Sequence, residues 1–411
     1  MRTIAYWLSL FFIFTIPWET VVEHATLGSM SRLVGFALAG VWLGAVLVSG
    51  KMRQLTTFHL VFLVFFLWYA ASVFWSAKPD RSLNHAITWI QLLLVSIIIW
   101  DLFRVKKNFL YGLQMYLLGA YVVLGNTLIN YFSGTSFYYE RFSAAGTNPD
   151  DLGATMALAI PIAWFLAYPI NAKKIHPVFR WVNYAYIPAA LMGIALSGTR
   201  TALIAAAPGM MFGLATLTRL RLWPRVVIFG LLVVAAIAIQ PLIPQSSYQR
   251  LGTTGSELAA GDFNGRRSLW VQGLASFQEH PILGVGGNMY RYVNNEGKVA
   301  HNSFISVLVE VGLVGFGLFL VILVVIFNQI YPHFRWEKYF WYSILAAWLV
   351  AASTLTWEYR KPTWLVFNLL VVSAGLARHR IALYNAEQAA RLRLAAPAGT
   401  GSFSREGISS D

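Results

Sequence analysis

Residues 300–327 read AHNSFISVLVEVGLVGFGLFLVILVVIF. From Phe304 onward the run is apolar except for Ser306 and Glu310, and at about 1.5 Å per residue it is long enough to cross about 30 Å of hydrocarbon as a helix. Asn302 and Ser303 are both good helix caps, so the helix is expected to start there, with His301 at the rim of the bilayer. Upstream, from about Pro244, lies the longest polar stretch in the chain. Other connections between apolar runs are short, which leaves this loop as the place with enough polar chain to build a site.

Working outward, apolar runs recur at Ile4–Ile16, Leu33–Val48, Phe58–Trp75, Ala86–Trp100, Phe109–Asn130, Leu152–Tyr168, Trp181–Leu196, Thr201–Leu217, Val226–Ile243, Phe304–Phe327, Trp341–Leu355 and Trp364–Ala377. The expected fold is therefore all-α: a polytopic membrane protein of about twelve transmembrane helices, with both termini on one side. The membrane domain spans 1–378, including a large extracytoplasmic loop at 244–302 that contains short helices. A cytoplasmic tail, partly disordered, follows at 379–411. Hydrophobic residues make up 57% of the 411 and charged ones only 12%, which excludes a soluble domain of ordinary composition. Period-two alternation, the mark of a β-barrel, is absent. The first run resembles a signal sequence, yet Pro17-Trp18-Glu19 offers no small-residue cleavage site, so it is read as a retained first helix. The chain has no cysteine, which rules out disulfides and thiolate chemistry.

Sidedness follows from the basic residues. The termini and the loops at Lys51, Arg104–Lys107, Lys173–Arg180, Arg219–Arg225 and Arg335–Lys338 hold 19 of the 31 Lys and Arg and 5 of the 17 Asp and Glu. The other side holds equal numbers of each sign, so the whole net charge of +14 lies on one face, which the positive-inside rule makes the cytoplasm. A pI near 9.9 is thereby explained by topology, and no nucleic acid is implied. It also makes Arg141, Arg200, Arg266 and Arg267 conspicuous, because topology does not favour arginine outside.

Within the loop, Asn264–Glu279 reads as an amphipathic helix with Trp270, Leu274 and Phe277 on one face, stopped by His280-Pro281. Gly284, Gly286 and Gly287 form a turn, since Gly-Val-Gly-Gly lacks the strand-turn-helix setting of a phosphate motif. Asn288–Val293 reads as a further short helix, and Tyr384–Leu394 as a helix on the membrane surface. His301 can be a proton acceptor near neutral pH or an interfacial cap. A guanidinium at Arg200, in Ser197-Gly198-Thr199-Arg200-Thr201, can pair with a phosphate or snorkel to headgroups. One of Arg266 and Arg267 should face inward with Trp270. Arg141 can instead pair with Glu140, Asp150 or Asp151. Glu310, deep in its span and nine residues from His301, cannot orient the imidazole and is read as a hydrogen-bonded anchor to a neighbouring helix, with close packing at Gly312 and Gly315.

Taken together, His301-Asn302 followed by Gly312 and Gly315 is similar to the histidine motif of the O-antigen ligase and polymerase superfamily. So are Gly265-Arg266 with Trp270, His280-Pro281-Ile282-Leu283-Gly284-Val285-Gly286, and Ser197-Gly198-Thr199-Arg200. The resemblance covers about Arg141 to Val325, with a weaker echo at Trp357–Trp364; Asn148-Pro149-Asp150 departs from the family's second asparagine. It implies a GT-C-like glycosyltransferase in the bacterial cytoplasmic (inner) membrane, acting on its periplasmic or outer face. The donor would be a glycan on undecaprenyl diphosphate, and the acceptor a glycan or the lipid A-core, as in an O-antigen ligase of lipopolysaccharide biosynthesis; a polymerase is the alternative. On this reading His301 is the catalytic base, Arg200, Arg266, Arg141, Arg267 and Asn302 bind the substrate diphosphate, and no metal or cofactor takes part. A rival class, a lipid-linked glycan transporter or flippase, would keep several ionisable groups at the midplane or repeat its halves. One deep acid and no repeat are seen.

Overall fold

The computed structural model describes residues 1–24, 28–136, 140–219, 222–253, 255–256 and 266–395. Asn264, Gly265 and residues 396–411 of the expected tail, which entered the expectations above, lie outside these. Every expected apolar run is a helix: α1 Arg2–Thr15, α2 Met30–Ser49, α3 Thr57–Ala71, α4 Pro79–Leu102, α5 Lys106–Phe132 and α6 Pro149–Ala167; then, after the single turn α7 Pro169–Ala172, α8 Pro177–Ser197, α9 Arg200–Leu217 and α10 Leu222–Ile239. The loop contributes α11 Gln245–Gly252 and α12 Arg266–Glu279, and the chain closes with α13 Ser303–Asn328, α14 Arg335–Thr354 and α15 Lys361–Ala395. The protein is thus an all-α, multi-pass membrane protein. A two-residue hairpin pairs Glu23–His24 with Gly28–Ser29.

Among the described residues, eight helices are long and apolar enough to cross a membrane: α2, α3 with the turn after it, α4, α5, α6, α9, α13 and α15. With 14 residues, α1 rises only about 21 Å. The bundle is organised around α6, 89% of whose apolar window is buried and which packs on α8, α9 and α14. Its small residues permit this: a Cβ at Gly153 would sit 2.5 Å from that of Ala202 on α9. At the end of the bundle away from the long loop, Asp101 locks α1, α2 and α4 together. Its carboxylate takes Arg2 at 3.0 Å, Arg104 at 2.5 Å, the Trp42 indole N–H at 3.0 Å and the Arg53 backbone N–H at 2.9 Å.

Two elements differ from the expectation for a physical reason. The run expected to be one continuous helix is broken at Gly312 (φ 66°, ψ −170°), and the segment after α12 fills the break. The N–H groups of Val285 and Gly286 donate to the carbonyls of Val309 and Glu310 (3.0 and 2.9 Å), the Trp68 indole donates to Val311 (3.0 Å), and the Leu313 N–H donates to Pro281 (2.9 Å). Irregular backbone is tolerated there because it is satisfied by protein. The Gly284–Gly287 turn is therefore an insertion reaching about 14 Å along α13 from Ser303. The second difference is α15, which runs on unbroken through Arg378-His379-Arg380 to Ala395 instead of ending at Ala377.

Glu310 is the expected anchor. Its carboxylate accepts the backbone N–H groups of Asn288 (2.8 Å) and Tyr290 (3.2 Å) and the Tyr69 hydroxyl of α3 (3.5 Å).

Candidate active site

Asn302 begins α13 as its cap: the side-chain oxygen accepts the N–H groups of Phe304 (3.0 Å) and Ile305 (3.1 Å), and its amide donates to the Ser353 carbonyl (3.0 Å). It is thus committed to backbone. His301, one residue earlier, sits in the left-handed region (φ 49°), uncommon for a residue with a side chain. Its N–H donates to Thr356 Oγ1 (3.1 Å), while Ser303 Oγ donates to the Leu355 carbonyl (2.9 Å) and accepts the Trp357 N–H (2.8 Å). The strained turn is stitched to the α14–α15 connection. From the other side α12 holds it, the Trp270 indole donating to the Ala300 carbonyl (2.8 Å) and the Tyr290 hydroxyl to that of Leu269 (2.9 Å). The buried face of α12 is Leu269 and Gly273, with Trp270 and Phe277 partly covered; Leu274 faces out.

His301 lines a cleft of about 400 Å³ together with Arg291, Lys298, Asp151, Trp357 and Arg360. The residues come from the α1 end, the start of α6, the long loop and the α14–α15 connection. Burial lowers the imidazole's pKa from its usual 6.5, the Arg266 charge lowers it further, and Asp150 and Asp151 oppose both. The ring is consequently neutral at pH 7 and free to accept a proton.

The expected arginines are distributed unequally. Arg266 faces inward, its side chain 15% exposed and 3.6 Å from Asp150, whereas Arg267 is exposed. Burial lowers the Arg266 pKa. Arg141 holds the same Asp150 at 2.6 Å and also donates to Thr199 Oγ1 (2.9 Å) and the Ser197 carbonyl (2.8 Å), so the alternative pairing of Arg141 is realised. Neither arginine, nor Asp150 itself, lines the cleft. Arg200 turns to the α11 segment, donating to the Arg250 carbonyl and Thr253 Oγ1 (both 2.6 Å), and does not line the cleft.

The cations that do line it were not singled out in the sequence. Arg291 and Lys298 precede His301 in the same loop. Arg360 is held 3.4 Å from Asp151, whose other oxygen accepts the Trp357 indole N–H (2.7 Å). Its side chain is 38% exposed, yet its Nε is buried without a hydrogen-bond acceptor. Arg360 lies inside the Trp357–Trp364 echo, the one sequence signal that pointed toward it. Asp151 and Glu19, the carboxylates on the cleft, are ion-paired by Arg360 and Lys361, and Lys298 is paired with Glu296 (2.7 Å), so Arg291 is the lining cation that adds to this balanced set. Such a site suits an anionic ligand. Among the described residues, no three His, Cys, Asp or Glu side chains are grouped to hold a metal ion.

The family described as O-antigen ligase matches residues 185–320, from within α8 through the break in α13. The exopolysaccharide production protein ExoQ of Rhizobium meliloti (strain 1021) is 26% identical, the similarity covering 74% of this chain and 72% of ExoQ. With its apolar helices, its broken α13 and the histidine at that helix's cap, the chain is a multi-pass membrane protein that is similar to the O-antigen ligase family over residues 185–320 and to ExoQ over most of its length.

Proposed function

We propose that the protein is a membrane glycosyltransferase that moves a glycan from undecaprenyl diphosphate to an acceptor sugar hydroxyl at the outer, periplasmic face of the bacterial inner membrane. The observation that carries this reading is that His301 opens on a cleft edged by Arg291, Lys298 and Arg360, while Arg266 and Arg141 are held on Asp150. In the transfer, His301 accepts the acceptor's hydroxyl proton as that oxygen bonds to the anomeric carbon. The bond from the anomeric carbon to the phosphate oxygen breaks from the opposite side, with inversion, and the diphosphate leaves with the electron pair. The guanidinium and ammonium groups stabilise its charge. Arg200 and Arg267 retain a part in this reading only for substrate that extends toward α11 and the exposed face of α12.

The acceptor is lipid A-core if the protein is a ligase and another lipid-linked repeat if it is a polymerase. The match to the O-antigen ligase family supports the first, and the similarity to an exopolysaccharide production protein the second. Purified protein given a defined undecaprenyl diphosphate glycan and each acceptor in turn decides between them; product with neither would refute both.

Two further results are expected. Because cationic side chains face the leaving group, turnover should persist in EDTA, and activity abolished by EDTA and restored specifically by magnesium or manganese would contradict the mechanism. Because burial lowers the His301 pKa, the base is neutral above that value and protonated below it. The acid limb of the kcat/KM profile should therefore lie below pH 6.5, and an acid limb above 7 would exclude His301 as the base.

A further inference from the structure

At the end of the bundle away from His301, a pocket of about 150 Å³ lies between α5, the start of α14 and α15. Two cations edge it, and both share one carboxylate: Lys106 Nζ is 3.0 Å from Glu337 Oε1, and Arg380 Nη2 is 3.1 Å from Glu337 Oε2. Lys174, on the connection between α7 and α8, belongs to the same field. Burial lowers its pKa, and the charges of Lys106 and Arg380 lower it further against the opposing pull of Glu337. Three positive charges thus converge on one negative. Acceptors are short as well: the Arg380 Nε is buried and has none among the described residues. The His333 ring offers no spare one, its Nδ1 donating to the Ile330 carbonyl (3.2 Å) and its Nε2 lying 2.8 Å from Ser373 Oγ.

The pocket is also graded with depth. Phe109, three residues into α5 from Lys106, and Leu376, four residues before Arg380 on α15, line it as well, so each helix sets an apolar side chain one turn deeper than its cation. The turn between α13 and α14 marks the level. Its Tyr331 and Phe334 are 84% and 56% exposed, and the Arg380 guanidinium lies 3.9 Å from the Phe334 ring centroid. Exposed aromatic rings of this kind sit among lipid headgroups, which puts the cations at the depth of phosphates and Phe109 and Leu376 at that of the first acyl carbons.

We infer that this pocket binds the phosphodiester of an anionic phospholipid in the leaflet at the basic end of the bundle, the cytoplasmic one by the positive-inside rule. Basic pockets between transmembrane helices on that side suit such headgroups, and a lipid carrying its own ammonium would set it against three cations. The inference is independent of the transferase reading, because the site is at the opposite end from His301 and its test reads binding alone.

Native mass spectrometry of the full chain in detergent, titrated with phosphatidylglycerol, should show one adduct tighter than the rest. Arg380→Gln should weaken it about fivefold, the effect of one basic residue at a lipid surface, and Lys106→Gln with Arg380→Gln about twentyfold. Lys51→Gln, an exposed lysine at the same end but outside the pocket, should leave it as in wild type. Glu337→Gln separates a lipid site from an ion pair that only holds helices together: removing the carboxylate should tighten phosphatidylglycerol binding about fivefold, even where the lipid-free protein melts earlier. Unchanged or weaker binding in Glu337→Gln, or equal weakening by Lys51→Gln and Arg380→Gln, would overturn the inference.

Two competitors identify the ligand. Phosphatidylcholine should displace phosphatidylglycerol at least tenfold less well, and millimolar inorganic phosphate should not displace it. Displacement by inorganic phosphate would make this a site for a free anion, and equal competition by phosphatidylcholine would remove the need for net negative charge; either would overturn the lipid assignment. A phosphatidylglycerol with a diazirine near its headgroup should label peptides covering 373–380, and labelling confined to other segments would overturn it too.

Discussion

His301→Ala is expected to lower kcat for glycan transfer by a factor on the order of 10² to 10⁴, the range for loss of a positioned general base, while leaving the protein folded. The fold should survive because the bonds fixing this turn run from the His301 backbone, Asn302 and Ser303, not from the imidazole. A non-glycine residue in the left-handed region does carry a conformational cost, so His301→Asn is the companion variant: asparagine tolerates that region better and has no proton to exchange near neutral pH. Both variants should remain monodisperse with an unchanged melting temperature, and both should still bind an undecaprenyl diphosphate glycan through the cations. Full activity in either would remove His301 from the chemistry. The same variants decide against the transporter reading: glycan movement across liposomes that persists undiminished in His301→Ala, in a protein without transferase activity, would favour transport.

The second large effect concerns architecture. Gly312→Ala should destabilise the protein by about 3–5 kcal/mol, in the range of severe backbone and packing faults, and should abolish activity as well. A Cβ at this position falls on the Ile282 carbonyl and within 2.6 Å of the Gly284 backbone nitrogen, and the φ of 66° is one that side chains resist. No side chain can rotate to relieve it, because the obstruction is backbone from the inserted segment. That segment continues into the residues that carry Arg291, Lys298 and His301. Gly317→Ala, four residues beyond Leu313 on the same helix with open space around its Cβ, should be neutral or stabilising by up to about 1 kcal/mol. Melting curves in detergent check both, and a Gly312→Ala protein melting with wild type would disprove the break at this position.

The sequence revealed the helices because lipid imposes a simple rule, about 20 apolar residues per crossing, and the cap at Asn302 because capping is local. That one of Arg266 and Arg267 faces inward with Trp270 was likewise readable, as it follows from helical periodicity, but the choice of Arg266 came only with the structure. The break at Gly312 was not: Gly312 and Gly315 sit in an apolar run where a glycine that packs closely and one that turns the backbone look alike. Nor was the composition of the cleft. Arg360 reaches it only because Asp151, over two hundred residues away, fixes its guanidinium, and Arg200 leaves it because α11 offers a carbonyl and a hydroxyl. Both outcomes depend on partners distant in sequence. The overlong α15 was hidden by a change in composition at Ala377 that matters to a bilayer but not to a helix, since Ala- and Arg-rich sequence propagates helical bonding well.

The filled gap in α13 has a consequence for traffic through the site. Withdrawing residues 281–286 would strand the carbonyls of Val309 and Glu310 and the amide of Leu313 at a depth where no water replaces them, at several kcal/mol each. The plug is therefore a fixed part of the wall, not a hatch, and reactants must come and go along the flanks of the bundle while the histidine's scaffold stays shut.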